Sequence, residues 1–504
     1  MINYLFLLLF LCKFSFYTSF KPFSGIRKKI TKQFFLENRF TPLTEEKTLT
    51  INHSSHLFNK LNGTFYAQIG SNPKYISDHQ SYAWLDGDGM YHVVFFNENN
   101  IVYQNKWVET LKLITEKKFQ KKIYLNIGGF TDFFGMFEFM WYNLKTFVKA
   151  IPFVKGTANT ALFQSKNRLF ALYEGDMPYE LSLDNQNNNI STKSYFDIPN
   201  MFSVTAHPLV DKKRHLNYLF SYNNYDFMDG KFIFNVFDFD MKPLFQKNVS
   251  LINNGIIHSV TKTENTLIIP DMPMKFDYFR IMVGKMPVYF DKSNGITRFG
   301  LMSLDNLQEP QWFYFKENFY VFHFAHAYET SDEVVIFACV NKNLDMENIM
   351  NYKKSPSSSK EENSCLRELR INKKTKNTNI FYNKYLEDIN VSFPYFIDFP
   401  QVSKINTNII YASLFDASTA YIRGLIKIDT TNFTTSKPTI FLFDTHEYAS
   451  AETQVTVIEN LEYVIMFMEK ANQTYISLVN MDTQNIETIP IPTRVPPGFH
   501  SIHN

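Results

Sequence analysis

From residue 41 to residue 504 the chain is dominated by short runs of β-branched and aromatic residues separated by polar turns. Residues 231–237 (KFIFNVF), 333–340 (EVVIFACV), 409–415 (IIYASLF), 462–468 (EYVIMFM) and 474–479 (TYISLV) are of this kind. Branched and aromatic side chains suit a half-buried pleated surface, and runs of this length bounded by turn residues read as strands. No helical segments alternate with them, which argues against a doubly wound parallel sheet and for an all-β, closed or radially repeated architecture. A β-propeller fits the length, although no repeated blade signature is visible and the inference rests on strand density.

Charge and cysteine usage exclude several function classes. Against 51 Lys and Arg stand 49 Asp and Glu. No long basic block interleaved with aromatics occurs in the body of the chain, so no nucleic-acid partner is expected. Cys12, Cys339 and Cys365 are too few for a disulfide framework or a thiolate metal cluster, so any metal must be held by His or carboxylates. Seventeen glycines make a glycine-rich nucleotide loop improbable as well.

The beginning of the chain reads as an address. Residues 1–12 (MINYLFLLLFLC) form a short apolar run ended by Lys13, long enough for a signal-peptide core and short of the roughly 20 residues of a membrane span. We assign residues 1–20 to a signal peptide, residues 21–40 to a basic, transit-like or linker segment, and residues 41–504 to a single domain. Lys13, Lys21, Arg27, Lys28, Lys29 and Lys32 precede the first acid, Glu37. Without these six charges the formal +2 becomes −4, so the basicity belongs to the leader. Entry into the secretory pathway is expected, followed by a plastid-like organelle through a two-part leader. A secreted or endomembrane-lumen protein, or an uncleaved anchor with a basic linker, are the alternatives.

Two segments break the strand pattern. Residues 130–151 (FTDFFGMFEFMWYNLKTFVKAI) are aromatic with few charges, as in a helix that covers a core or contacts a membrane surface. Residues 341–363, with Ser355, Ser357, Ser358 and Ser359, read as a solvated loop.

The candidate chemistry lies in histidines: His207 in AHP, His258 before TKT, His323 in FHFAHAYE and His500 near the end. They are 51, 65 and 177 residues apart, so they form no local metal motif. Only a fold that converges several elements on one axis can join them, and a propeller axis does so.

At these residues the chain resembles the carotenoid cleavage oxygenase family, which includes carotenoid and apocarotenoid dioxygenases, stilbene dioxygenases and a retinoid isomerohydrolase. The resemblance is carried in order by residues 61–73 (LNGTFYAQIGSNP), 85–90 (LDGDGM) with His92, 156–162 (GTANTAL), 172–179 (LYEGDMPY), 205–208 (TAHP), the His258 segment, 322–329, 397–402 (IDFPQV) and 494–500 (RVPPGFH). It implies a seven-bladed β-propeller with a helical and loop cap over an axial metal site, and an apolar substrate tunnel. It further implies that His207, His258, His323 and His500 bind Fe(II), while His92 does not, and His326 stands where the family usually has Asn.

In the family, acidic residues accept the other ring N–H of three ligands, which fixes tautomer and angle. By resemblance these are Glu174, Asp398 and Glu452, with Glu447 and Glu459 competing for the third place. Asp398 stands where Glu is usual; one methylene shorter, it is expected to reach its histidine through water or a shifted backbone. Thr160 matches a position beside the open metal site, a catalytic assignment set against an ordinary strand threonine. Tyr173 occupies the place where stilbene-cleaving relatives carry Lys, which weakens a stilbene substrate.

The resemblance implies an Fe(II)-dependent dioxygenase that takes an apolar polyene and dioxygen and cleaves a conjugated C=C bond of a carotenoid or apocarotenoid to two carbonyl products, without an organic cofactor. The alternatives are a retinoid-type isomerase or hydrolase on the same scaffold, or a non-catalytic lipid-binding or interaction propeller.

Overall fold

The computed structural model describes residues 33–504 apart from 78, 79, 81, 127–140, 143, 147–155, 199, 200, 202, 223–230, 254, 278, 283, 284, 347, 348, 350–363, 393, 394 and 418. The residues read as a signal peptide and most of the basic segment therefore lie outside the described residues, as does the aromatic segment 130–151 save for 141, 142 and 144–146. In the stretch 341–363, read as a solvated loop, residues 341–346 and 349 are described; Asn341 ends a strand, Met346 is buried and Leu344 packs against the core beside it.

The described chain is mostly β, and each of the five runs singled out above is a strand. Their branched and aromatic residues bury one or both faces: Glu333–Asn341 is buried from Val334 to Asn341, and Leu461–Lys470 from Val464 to Glu469. Among the described residues four sheets are antiparallel and four-stranded, beside a five-stranded sheet, a nine-stranded sheet and a two-stranded hairpin. The first strands of successive meanders are Ala161–Ser165, Leu209–Asp211, Thr261–Lys262, Tyr320–Glu329, Tyr395–Val402 and Gln454–Ile458. The last two meanders are joined into one sheet by Glu447–Ala449, which pairs with both Tyr421–Asp429 and Leu461–Lys470. The final strand, Ser501–His503, pairs with Phe65–Ser71 near the start of the domain, aligning Tyr66 with His503 and Gln68 with Ser501.

The cores lie between neighbouring sheets. Leu169 and Leu181 share a cluster with Phe65 and Val93, and Phe170 with Leu219 and Phe237. Phe232 meets Leu267 and Met302; Phe299 meets Val334 and Leu369; Val335 meets Ile410 and Ile428; Tyr411 meets Val464 and Val479. Ile465 and Leu478 then meet Tyr66 and Val94 of the first sheet, which closes the sequence of interfaces into a ring. Each large apolar side chain buried there contributes about 1.5–3 kcal/mol.

Residues 33–40, read from the sequence as the end of a linker, are instead part of the packed fold. Phe35 and Phe40 are buried among Phe34, Tyr82, Trp84 and Tyr421, because three phenylalanines in eight residues are too apolar to remain solvated. Arg39 pairs with Glu469 at 3.0 Å and lies 3.9 Å over the Tyr448 ring.

The helix Leu111–Phe119 is capped by Thr110, whose side chain accepts from Leu113 N at 3.1 Å. It buries Lys112 between Asp88 at 2.5 Å and Glu116 at 2.9 Å, which pins the LDGDGM segment to the helix. Burial alone would push the Asp88 carboxyl up, but the charges of Lys112 and Lys122 and hydrogen bonds from Lys112 and the Lys74 N–H outweigh it and hold it below its ordinary value. The stability this confers is present above the ordinary carboxylate range and is lost as pH falls through the lowered value. Lys112→Ala leaves two buried carboxylates without their cation and is expected to destabilise the fold by about 3–5 kcal/mol. Chemical denaturation of the variant against the parent at neutral pH measures this, and a loss below about 1 kcal/mol would refute the assigned role.

Candidate metal centre

The first strands of the meanders converge on one cluster of side chains, and the sequence-assigned residues sit there. Thr160 directly precedes Ala161–Ser165, His207 comes just before Leu209–Asp211, and His258 precedes Thr261–Lys262. His323 and Asp398 lie within Tyr320–Glu329 and Tyr395–Val402, Glu452 precedes Gln454–Ile458, and His500 precedes Ser501–His503. Glu174 follows the hairpin strand Arg168–Leu172. Residues hundreds apart in sequence thus become neighbours because all of them but Glu174 lie on or just before the first strand of a meander or the closing strand.

The four imidazoles form one cluster. Their ligand-capable nitrogens all lie within 4.8 Å of one another, and His258 Nε2 is 3.3 Å from His323 Nε2. The His207 ring centroid is 4.4, 5.2 and 4.5 Å from those of His258, His323 and His500.

Three of the rings are tethered through Nδ1. His323 Nδ1 is 2.8 Å from Asp398 Oδ1, and His500 Nδ1 is 3.0 Å from Glu452 Oε2. His258 Nδ1 is 2.7 Å from Glu174 Oε1, a close ion-pair contact without hydrogen-bond alignment among the described residues. A carboxylate acceptor at Nδ1 keeps the proton there and leaves Nε2 as the free lone pair. His207 has no such tether: its Nε2 is buried and has no hydrogen-bond partner among the described residues, while its backbone N–H donates to Thr205 Oγ1 at 2.9 Å.

Burial pushes the His207 imidazole well below its ordinary value, and the neighbouring His258, His500 and His323 push in the same direction. Burial lowers His323 too, against the opposing pull of Asp398. For Glu452 burial works upward but is outweighed by His500, the hydrogen bonds from His500 and Gln401, and His323, so the carboxylate is held low. Neutral imidazoles beside ionised carboxylates are the protonation states that divalent-metal binding requires. The orphaned Nε2 of His207, aimed among three other imidazoles, is the observation that the four residues fit a metal ion.

The expectation that Asp398 works through water or a shifted backbone is resolved in the second sense: contact with His323 is direct. The strand slips register between Asp398 and Gln401, and Phe399 takes φ 52°, so a bulge presents the shorter carboxylate. Of the competitors for the third acid, Glu459 is a surface residue paired with Lys60, and Glu447 is engaged by Lys470 and the Asp444 N–H. Thr160 is buried; its hydroxyl donates to Asn159 Oδ1 at 3.1 Å and its carbonyl accepts from His500 N–H at 3.3 Å. His92 is buried elsewhere against Tyr103 OH at 2.8 Å, and His326 lies beside Tyr328.

Two contributors escaped the sequence reading. Gln401 Nε2 donates to Glu452 Oε1 at 3.0 Å, and the Phe399 ring lies 5.1 Å from His323 and 5.0 Å from His500. Both belong to IDFPQV, but strict strand alternation assigns their sides wrongly once a bulge intervenes.

The family model described as retinal pigment epithelial membrane protein matches residues 40–504. The chain is 28% identical to carotenoid 9,10(9',10')-cleavage dioxygenase 1 of Arabidopsis thaliana, over 93% of this chain and 89% of that protein. The structure superposes on cobalt-substituted Synechocystis apocarotenoid oxygenase with TM-score 0.73 at 18% identity, covering 92% of this chain and 97% of the other. It also superposes on Pseudomonas brassicacearum lignostilbene dioxygenase with TM-score 0.76 at 15% identity, covering 93% and 98%.

The arm that carries His500 depends on two glycines packed back to back. An alanine Cβ at Gly70 would fall 2.5 Å from Gly498 Cα and 3.2 Å from Pro497 O, both backbone atoms of that arm. Gly70→Ala is expected to cost about 1–3 kcal/mol by overpacking. Thermal unfolding measures this; an unchanged Tm would show that the arm is free to move.

Proposed function

The chain belongs to the carotenoid cleavage oxygenase family, and from that premise we propose that it is a non-haem Fe(II)-dependent dioxygenase that cleaves a conjugated C=C bond of a carotenoid or apocarotenoid to two carbonyl products. The single observation that carries the reading is the convergence of four imidazoles, three with Nδ1 against a carboxylate and one with a buried Nε2 that has no hydrogen-bond partner among the described residues. The scaffold is proposed to be a seven-bladed propeller: the ring of shared cores supports it, and seven of the assigned residues sit on or just before seven equivalent strands.

In this reading His207, His258, His323 and His500 hold Fe(II). Bound there, the ion supplies Lewis-acidic, redox-active chemistry toward dioxygen, with no carboxylate to lower its charge. Glu174, Asp398 and Glu452 keep the Nδ1 protons in place, so the rings meet the ion in one tautomer. Thr160 shapes the approach of dioxygen, and the rings of Phe399 and Phe322 supply an apolar, water-excluding surround. One C=C and one O=O bond are replaced by two C=O bonds with no net proton transfer, so no acid–base pair is needed. The bond cleaved is selected by how far the polyene slides past the histidines.

Residues 130–151, read as a helix that covers a core or contacts a membrane surface, lie outside the described residues save for 141, 142 and 144–146. Membrane-surface contact is proposed for the helix Leu111–Phe119, whose Leu111, Ile114 and Phe119 are exposed beside Lys118 and Lys121, a pattern suited to an interface holding apolar substrate. No helix among the described residues is long and apolar enough to cross a membrane. The acid-poor leader supports delivery to a plastid-like organelle through the secretory pathway.

The chain purified anaerobically and loaded with Fe(II) is expected to retain about one iron, and His207→Ala little. Glu452→Gln is expected to weaken retention by about 10- to 100-fold. No iron in the parent would favour a non-catalytic binding protein. With carotenoid or apocarotenoid substrates and dioxygen, mass spectrometry is expected to find two carbonyl fragments; an unfragmented isomer or a released alcohol would instead identify the isomerase or hydrolase reading.

A further inference from the structure

We propose that residues 33–43 form a strap that positions His500, gripping the arm 494–500 at Arg494 and again at Phe499. The inference rests on the metal-centre reading above and concerns the strap and Arg494, which that reading does not use.

The strap is fastened at three points. Gln33 Oε1 accepts from the Tyr82 N–H at 2.6 Å, Arg39 pairs with Glu469, and Leu43 exchanges two hydrogen bonds with the Asn72 side chain at 2.7 and 2.9 Å. Between these points the 3-10 turn Asn38–Phe40 ends in backbone carbonyls that no further turn consumes. Arg494 takes them: its Nη1 donates to Arg39 O at 2.7 Å and its Nη2 to Thr41 O. Among the described residues these carbonyls are the only hydrogen-bond acceptors of Arg494, and no carboxylate pairs with it. A guanidinium at the carbonyl end of a helical turn makes charge-assisted hydrogen bonds, which are stronger than those of a neutral donor.

The grip at Arg494 reaches His500 along a stiff connection. Pro496 and Pro497 fix their own φ angles, and the residues around them are held by neighbouring sheets. Val495 N–H donates to Thr474 Oγ1 at 3.1 Å, Pro496 O accepts from Gln68 Nε2 at 3.1 Å, and Gly498 N–H donates to Ser450 O at 2.8 Å. The second contact is apolar. The Phe499 ring lies 4.3 Å from Trp84, which is stacked on Phe35 at 5.7 Å and met edge-on by Phe40 at 5.2 Å. The strap thus meets the arm on the near side of the two prolines through hydrogen bonds, and directly beside His500 through an aromatic stack. Without it the arm keeps its sheet hydrogen bonds and loses the two contacts that set its angle toward the other three imidazoles. The strap begins directly after Lys32, the last cation of the basic leader, so loss of the leader up to that residue spares each of these contacts.

The test uses the full chain with Co(II) as probe, read by chelator competition and by the visible Co(II) spectrum, which reports ligand geometry without turnover. Arg494→Ala is expected to weaken Co(II) binding about tenfold and shift the spectrum, the lower end of the range for residues that support metal-bound histidines. Arg39→Ala keeps the backbone carbonyl but frees the strap from Glu469, and is expected to shift the spectrum in the same direction with a smaller loss of affinity. Ile190→Ala, a buried residue of the outermost strand Asn189–Tyr195, is expected to lower Tm with affinity and spectrum unchanged. Parental affinity and spectrum in Arg494→Ala, or an equal shift in Ile190→Ala, would overturn the proposal and leave the metal reading standing. If Arg494→Ala does not fold, amide hydrogen exchange in Arg39→Ala decides: faster exchange in residues 494–500 supports the strap, and parental exchange overturns it. A parent that takes up no Co(II) would overturn both readings.

Discussion

The pairing of the last strand with the first sheet is the constraint on which the rest depends. Ser501–His503 has only three residues, yet it closes the ring against Phe65–Ser71 and is reinforced at both ends. Phe65 and Asn504 exchange backbone hydrogen bonds at 3.1 and 3.3 Å, Ile69 N–H donates to His500 O at 3.0 Å, and Phe499 N–H donates to Ile69 O at 2.9 Å. Gly498 N–H reaches Ser450 O at 2.8 Å and His500 N–H reaches Thr160 O at 3.3 Å, so one arm joins three sheets. The fourth imidazole enters the cluster only when this arm docks. Its partners are separated from it by most of the chain, so the site is assembled by the least local contacts in the molecule, the kind that form late and slowly.

Ring closure brings polar groups into a place without water, and the chemistry of the cluster follows from how each is satisfied. Leaving a buried donor or acceptor unpaired costs about 1–3 kcal/mol. Asp398 and Glu452 remove that cost at the Nδ1 side of two rings, Glu174 lies 2.7 Å from the Nδ1 of a third, and Glu452 is itself balanced by the Gln401 N–H. The Nε2 side is left unbalanced: among the described residues no donor is supplied to His207 Nε2, and the other three imidazoles cluster around its ring. Such a cluster gives up stability in exchange for affinity, and ligation by a cation returns it through linkage.

How much of this was legible follows from what each signal encodes. The strands were legible because side-chain branching and alternation act locally, and every run singled out is a strand. The four histidines and the acids Glu174 and Glu452 were legible because short motifs surround them in a recognisable order, although no spacing rule joins residues 51, 65 and 177 apart. The packing of residues 33–40 was masked by the basic residues that precede it: Phe34, Phe35 and Phe40 carry the burial signal, but it has meaning only beside Trp84 and Tyr421. Gln401 and Phe399 were hidden for a geometric reason. A bulge shifts the two-residue period by one, and nothing in IDFPQV announces where the slip falls.

Phe399 shows why the slip falls where it does. A phenylalanine at φ 52° sits in a region that costs a non-glycine residue about 1–3 kcal/mol, so its surroundings must favour that conformation. They do so on both sides of the peptide. Its N–H is held by Asp398 Oδ1 at 2.8 Å, the same oxygen that faces His323, so the turn and the tether form together. Its ring lies 5.3 Å from Phe415 and within about 5 Å of both His323 and His500, which puts an apolar wall between two imidazoles and the sheet behind them. A glycine would relieve the strain and lose the wall; a regular strand would keep the wall and carry Asp398 out of reach. The strained residue is therefore the point at which the short carboxylate and the dry surround of the cluster become a single structural requirement.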